Sequence, residues 1–68
     1  MTGVVAHLVL DRGFGFIGRT TGGPDLFFHF RDLVDLEFTQ QLLGRRVQFD
    51  TEIVHGRERA IRVESVTD

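Results

Sequence analysis

Arg12-Gly13-Phe14-Gly15-Phe16-Ile17 and Leu26-Phe27-Phe28-His29-Phe30 together hold five of the chain's seven phenylalanines, with an arginine and a histidine among them. Successive side chains of an extended strand point to opposite faces, so Phe14 and Phe16 share one face while Gly13, Gly15 and Ile17 share the other. The same parity puts Phe27 and His29 on one face of the second stretch and Leu26 and Phe28 on its back. Two such strands side by side build a plate of rings. Each base of a single-stranded nucleic acid offers a π-face and each phosphate a charge, so rings beside arginine suit stacking and phosphate contact. The competing reading is that these phenylalanines fill an ordinary barrel core. Against it, Ile17, Leu26 and Phe28 already supply an inward face. Glycine on that back face lets a second backbone or a barrel wall approach closely.

Elements must hold the two stretches side by side. Gly3 to Leu10 is a short, β-branched apolar run and reads as a first strand, ended by the turn signal Asp11-Arg12-Gly13. The second strand covers about Phe14 to Arg19, and Thr20-Thr21-Gly22-Gly23-Pro24-Asp25 is a turn whose glycines accept positive φ. A third strand spans about Leu26 to Phe30, giving an antiparallel meander. From Arg31 to Leu43 the alternation breaks, which reads as a short helical turn near Asp32–Asp35, with Asp32 a candidate cap, followed by an irregular loop ending at Gly44. Arg46 to Ile53 alternates polar and apolar as a half-buried strand. His55-Gly56-Arg57-Glu58 reads as a hairpin turn, and Ala60 to Val66 as the last strand, with Ile61 and Val63 inward and Arg62 and Glu64 outward. The predicted fold is all-β: a five-stranded antiparallel Greek-key barrel with a short helical turn after strand 3. The OB-fold is the barrel of this kind with its ligand face on strands two and three, where the aromatic stretches fall.

The chain has 68 residues, which predicts one domain over 1–68 with a small core and only about 3–5 kcal/mol of net stability. It contains no cysteine, so no disulfide or Cys-based metal site is expected, and His7, His29 and His55 lack metal-ligand spacing. No apolar run approaches the ~20 residues of a membrane span. The start lacks the basic and apolar blocks of a secretory signal, so a cytoplasmic location is expected. A formal net charge of −2 disfavours binding by bulk electrostatics but leaves room for a local positive stripe. All eight basic residues are arginine, whose guanidinium both forks to phosphate and stacks on bases. A coding bias toward arginine accounts for the same fact.

The two stretches resemble the first and second ribonucleoprotein motifs of the cold-shock domain family. The spacing between them, the lead-in Gly3-x-Val5, Phe38, and Gly44-x-x-Val47-x-Phe49 also fit, so the resemblance covers nearly the whole chain. It implies base stacking by Phe14, Phe16 and Phe27, stacking and hydrogen bonding by His29, and a platform edge at Phe30 and Phe38. Arg12 stands where the family usually has lysine and keeps a charge for phosphate. Phe38 lies in a polar loop, and its alternative is to fold back onto Leu36 and Leu42. Arg57 and Arg59 lie in or beside the last hairpin turn, either to guide a nucleic-acid backbone or to pair with Glu58 and Glu52. Phe28 and Phe49 read as core.

The chain departs from the family where Lys, Trp, Phe and Asn are usual in the first strand, having Ala6, His7, Leu8 and Val9. A proline usual in the last hairpin is replaced within Arg57-Glu58-Arg59. Losing the tryptophan predicts about tenfold weaker binding if that contact is worth ~1.4 kcal/mol, with His7 stacking in partial compensation. The resulting reading is a binder of single-stranded RNA or DNA with low sequence selectivity, acting as an RNA chaperone or as a regulator of transcription or translation. It takes no cofactor, metal or small-molecule substrate and no membrane partner. A monomer is expected, with a dimer left open. No nucleophile or paired carboxylate stands near His29, so no enzymatic activity is expected. The rival reading is a protein-interaction module on the same barrel, docking through Ala6, Leu8, Val9 and the phenylalanines.

Overall fold

Strands β1 (Thr2–Val9), β2 (Phe14–Arg19), β3 (Leu26–His29), β4 (Arg46–Val54) and β5 (Arg57–Ser65) close into a barrel with spatial order β1-β2-β3-β5-β4 in a computed structural model that describes residues 1–66. Pairings β1–β2, β2–β3, β1–β4 and β4–β5 are antiparallel, whereas β3 and β5 run parallel, with Phe27 opposite Arg59. The sheet is therefore mixed rather than wholly antiparallel. The reason is arithmetic: strand direction cannot alternate all the way round a closed ring of five, so one junction must be parallel.

Inside sit Val5, Ile17, Leu26, Phe28, Leu42, Val47, Phe49, Ala60 and Val63, all buried, with Leu8, Leu33, Leu36 and Phe38 packed against them. The alternation of β2 and β3 puts Ile17, Leu26 and Phe28 here, and Gly15 faces the same way. A Cβ on Gly15 would lie 2.6 Å from the His7 carbonyl oxygen and 2.9 Å from the Phe28 ring. The missing side chain is what lets β1 and the fully buried Phe28 ring close on β2.

Two bulges reset the alternation. In β1, Val5 pairs with Ile17 and His7 with Phe16, leaving Ala6 as the extra residue. In β5, Arg62 takes φ 50° while the ladder to β4 slips between Gln48 and Asp50. That slip turns Ala60 and Val63 inward and leaves Ile61 half-buried, so Ile61 is not the core residue that strict alternation predicts. The β4–β5 hairpin closes in two residues, His55 and Gly56, with φ of 52° and 77°. Positive φ at both positions matches the twist of the flanking strands. Arg57 and Glu58 accordingly belong to β5 rather than to the turn.

The helical turn also falls earlier than expected. A 3-10 turn covers Phe30–Asp32, so β3 stops at His29, and a second covers Gln40–Leu42. His29, not Asp32, occupies the N-cap: its Nδ1 accepts the Arg31 N–H at 3.2 Å, and Asp32 reaches back to accept the His29 N–H at 2.8 Å. This reciprocal box satisfies two donors that the turn itself leaves open. No helix among the described residues is long and apolar enough to cross a membrane.

Candidate nucleic-acid interface

Register places two rows of side chains across the outer face of β1, β2 and β3. In the first, His7 stands opposite Phe16 and Phe16 opposite Phe27. In the second, Val9 stands opposite Phe14 and Phe14 opposite His29. Because β2 has no bulge, the parity of its sequence survives as geometry. The rings touch: Phe14 and Phe27 centroids lie 5.4 Å apart, Phe14 and Phe16 5.9 Å in an edge-on arrangement, and Phe16 and Phe27 6.0 Å. His7 extends the first row, 6.1 Å from Phe16. Phe14, Phe16, Phe27 and His29 are half-buried and stand outside the buried core, so they do not fill an ordinary barrel interior.

The 3-10 turn carries the face further. Phe30 lies 4.5 Å from His29 and is 45% exposed. Its N–H donates to the Gly13 carbonyl at 2.9 Å, and its ring lies where a Gly13 side chain would be, 2.8 Å from an ideal Cβ. Gly13, at φ 77°, thus makes the seat on which Phe30 rests. Phe38 divides its contacts, 6.4 Å from exposed Phe30 and 6.4 Å from buried Phe28. It extends the face and folds back on the core at once.

Charged groups rim the rings. Arg12 is exposed in the turn before β2. Arg57, exposed at the start of β5, lines a shallow concavity with Phe16, Phe27 and Val54. Arg59 ends the first row: it stands opposite Phe27 and its guanidinium carbon lies 5.7 Å from the Phe27 ring centroid. Neither Glu58 nor Glu52, the alternative partners offered for Arg57 and Arg59, bonds Arg59. Arg59 instead holds Asp32 at 2.5 Å, while Glu58 bonds Arg19 at 2.6 Å. The Arg19 hydrogen bond holds the Glu58 carboxyl below its ordinary value. Arg31 adds a guanidinium 5.8 Å from the Phe30 ring. Neither the contact of Arg59 with a ring nor the place of Arg31 beside Phe30 was legible in the sequence. The hint for Arg59 was its shared parity with Arg57, but its partner depends on the parallel closure.

Ala6, Leu8 and Val9 do not form one docking patch. The β1 bulge exposes Ala6, Leu8 packs on the core, and Val9 joins the aromatic face opposite Phe14.

Residues 1–66 match the family described as the 'Cold-shock' DNA-binding domain. Among similar chains, Cold shock-like protein CspA of Vibrio cholerae is 42% identical over 52 residues, covering 76% of this chain and 74% of that one. Cold shock-like protein CspG of Shewanella violacea is 39% identical over 51 residues, 75% of this chain and 73% of that one. Among solved structures, drosophila Unr CSD456 superposes with a TM-score of 0.76 at 29% identity, over 97% of this chain and 26% of that much longer one. The architecture, the motif positions and these matches agree, and the chain belongs to the cold-shock domain family, whose domains bind nucleic acid.

Proposed function

We propose that the outer face of β1–β3 binds single-stranded RNA or DNA with low sequence selectivity, and that through this binding the protein loosens RNA structure or tunes transcription or translation. Bases stack on Phe14, Phe16, Phe27 and His29, with Phe30, Phe38 and His7 extending the track, while Arg12 and Arg57 meet phosphates. The observation that carries this reading is the contact of Phe14, Phe16 and Phe27 with one another on a half-buried surface outside a core already filled. Sequence-tolerant stacking is what a plate of plain phenyl rings offers, because such rings carry no hydrogen-bonding groups to read a base edge.

The test is fluorescence anisotropy of labelled oligo-dT and a matching RNA, titrated with wild type and with Phe16→Ala/Phe27→Ala. Stacking is worth about 1–3 kcal/mol per base, so the double variant should bind at least about thirtyfold more weakly while keeping its far-UV circular dichroism. Absence of wild-type binding in low salt at tens of micromolar protein would overturn the proposal. Exposed Ile53 and Val54 on the β4–β5 hairpin favour the rival protein-docking reading. Salt separates the two: nucleic-acid affinity falls steeply with salt and apolar docking does not.

A further inference from the structure

Asp32 and Arg59 meet where β5 closes on β3. One carboxylate oxygen of Asp32 accepts both the Arg59 Nη2 at 2.5 Å and the His29 backbone N–H at 2.8 Å. The two side chains keep 28% and 15% exposure for Arg59 and Asp32 respectively, so the pair is part-buried but not sealed from solvent. Arg59 also lines both concavities that flank Phe27: one with Phe16, Arg57 and Val54, the other with His29 and Arg31. Its Nε is shielded and has no acceptor in this arrangement. The guanidinium is thus held beside a stacking ring, its central carbon 5.7 Å from the Phe27 centroid, by a single carboxylate oxygen, with donor capacity unused. A phosphate next to a base stacked on Phe27 would meet Arg59 with the charge and oxygen geometry that Asp32 now supplies.

We propose that Asp32 is an internal competitor for the nucleic-acid backbone: it occupies Arg59 in the free protein, and a phosphate of the bound strand displaces it. This rests on the proposed function and deepens it, since it assigns Arg59 as a phosphate-contacting residue and Asp32 as the residue that sets how strongly Arg59 contributes. Neutralising Arg59 in advance means that one fewer counterion is released on binding, which lowers both affinity and salt dependence. Glu52 is Arg59's neighbour on the β4 ladder. It is exposed, so a pair formed there in place of Asp32 would be weak and screened by salt.

The test is a double-variant cycle read by anisotropy of labelled oligo-dT across a salt series, using wild type, Asp32→Asn, Arg59→Gln and the combined variant. Asparagine keeps a carbonyl oxygen for the His29 N–H while removing the charge. If Asp32→Asn fails to fold by circular dichroism, Asp32→Ser keeps a short acceptor at the same position and carries the test. Asp32→Asn should bind about two- to fivefold more tightly, with the slope of log affinity against log salt steeper by about 0.7, one phosphate on a single strand. Both changes should vanish in the Arg59→Gln background. Unchanged affinity and slope in Asp32→Asn, with wild type binding and Phe16→Ala/Phe27→Ala not, overturn the exchange and leave the proposed function standing. An equal gain with and without Arg59 also overturns it, since Asp32 would then act only as diffuse charge. Absence of binding by both wild type and Asp32→Asn overturns the exchange and the proposed function together.

Discussion

Asp35 receives the Ser65 hydroxyl at 2.7 Å on one carboxylate oxygen and the Ser65 N–H at 2.9 Å on the other, pinning the end of β5 to the loop after β3. The side-chain bond first, and the backbone bond second, hold its carboxyl below the ordinary 3.8. A carboxyl depressed by folding contributes stability that is present above its unfolded value and lost as pH falls through the folded one. The urea midpoints of wild type and Asp35→Ala should therefore differ by a constant amount above about pH 5, and the gap should narrow as pH falls below 3.8. A gap that stays constant down to pH 2 would show that the charge contributes nothing. At His7 the consequence concerns binding. The ring sits opposite Phe16 where the family usually has tryptophan, so His7→Trp adds stacking area to an existing row. It should tighten oligo-dT binding about tenfold if the gain is ~1.4 kcal/mol, which the same anisotropy titration measures.

Strand β2 works because its two faces do different jobs, and Gly15 is where they conflict. Gly15→Ala would drive a methyl into the His7 carbonyl and the Phe28 ring. Overpacking of this kind costs about 1–3 kcal/mol, so thermal unfolding should shift down by roughly 4–24 °C in a chain of this size. An unchanged melting temperature would mean that β1 moves aside freely. The same strand explains what was legible in the sequence. Phe14 to Ile17 and Leu26 to Phe28 alternate without interruption, and there period alone placed the rings on one face and the core on the other. Legibility failed where a residue was inserted: Ala6 scattered the expected apolar patch of β1, and Arg62 shifted the inward residues of β5. A bulge leaves no reliable mark in a string of alternating residues, because where the extra residue falls is set by pairing with the neighbouring strand and not by the local pattern. The ion pair of Asp32 with Arg59 was beyond reach for a related reason. Its partners are 27 positions apart and meet only because β3 and β5 run parallel.

At the scale of the molecule, a barrel this small depends on few side chains. Phe28 is fully buried and touches both the back of β2 and the loop ring Phe38. Phe28→Ala should cost about 3–5 kcal/mol, comparable to the whole net stability of such a domain. The variant should be largely unfolded at 25 °C by circular dichroism, and a cooperative melt above 50 °C would contradict that.

The parallel junction that an odd ring imposes has its own consequence. Phe27 opposite Arg59 is the one ladder register joining β3 to β5 among the described residues, with Leu33 and Val63 bridging beyond it. The barrel is therefore zipped along four edges by three or more paired positions each and merely buttoned along the fifth, and the button lies within the aromatic face. A strand of bases lying across Phe27 with its phosphate on Arg59 would bridge both sides of that opening, so occupancy of the face would fasten the barrel itself.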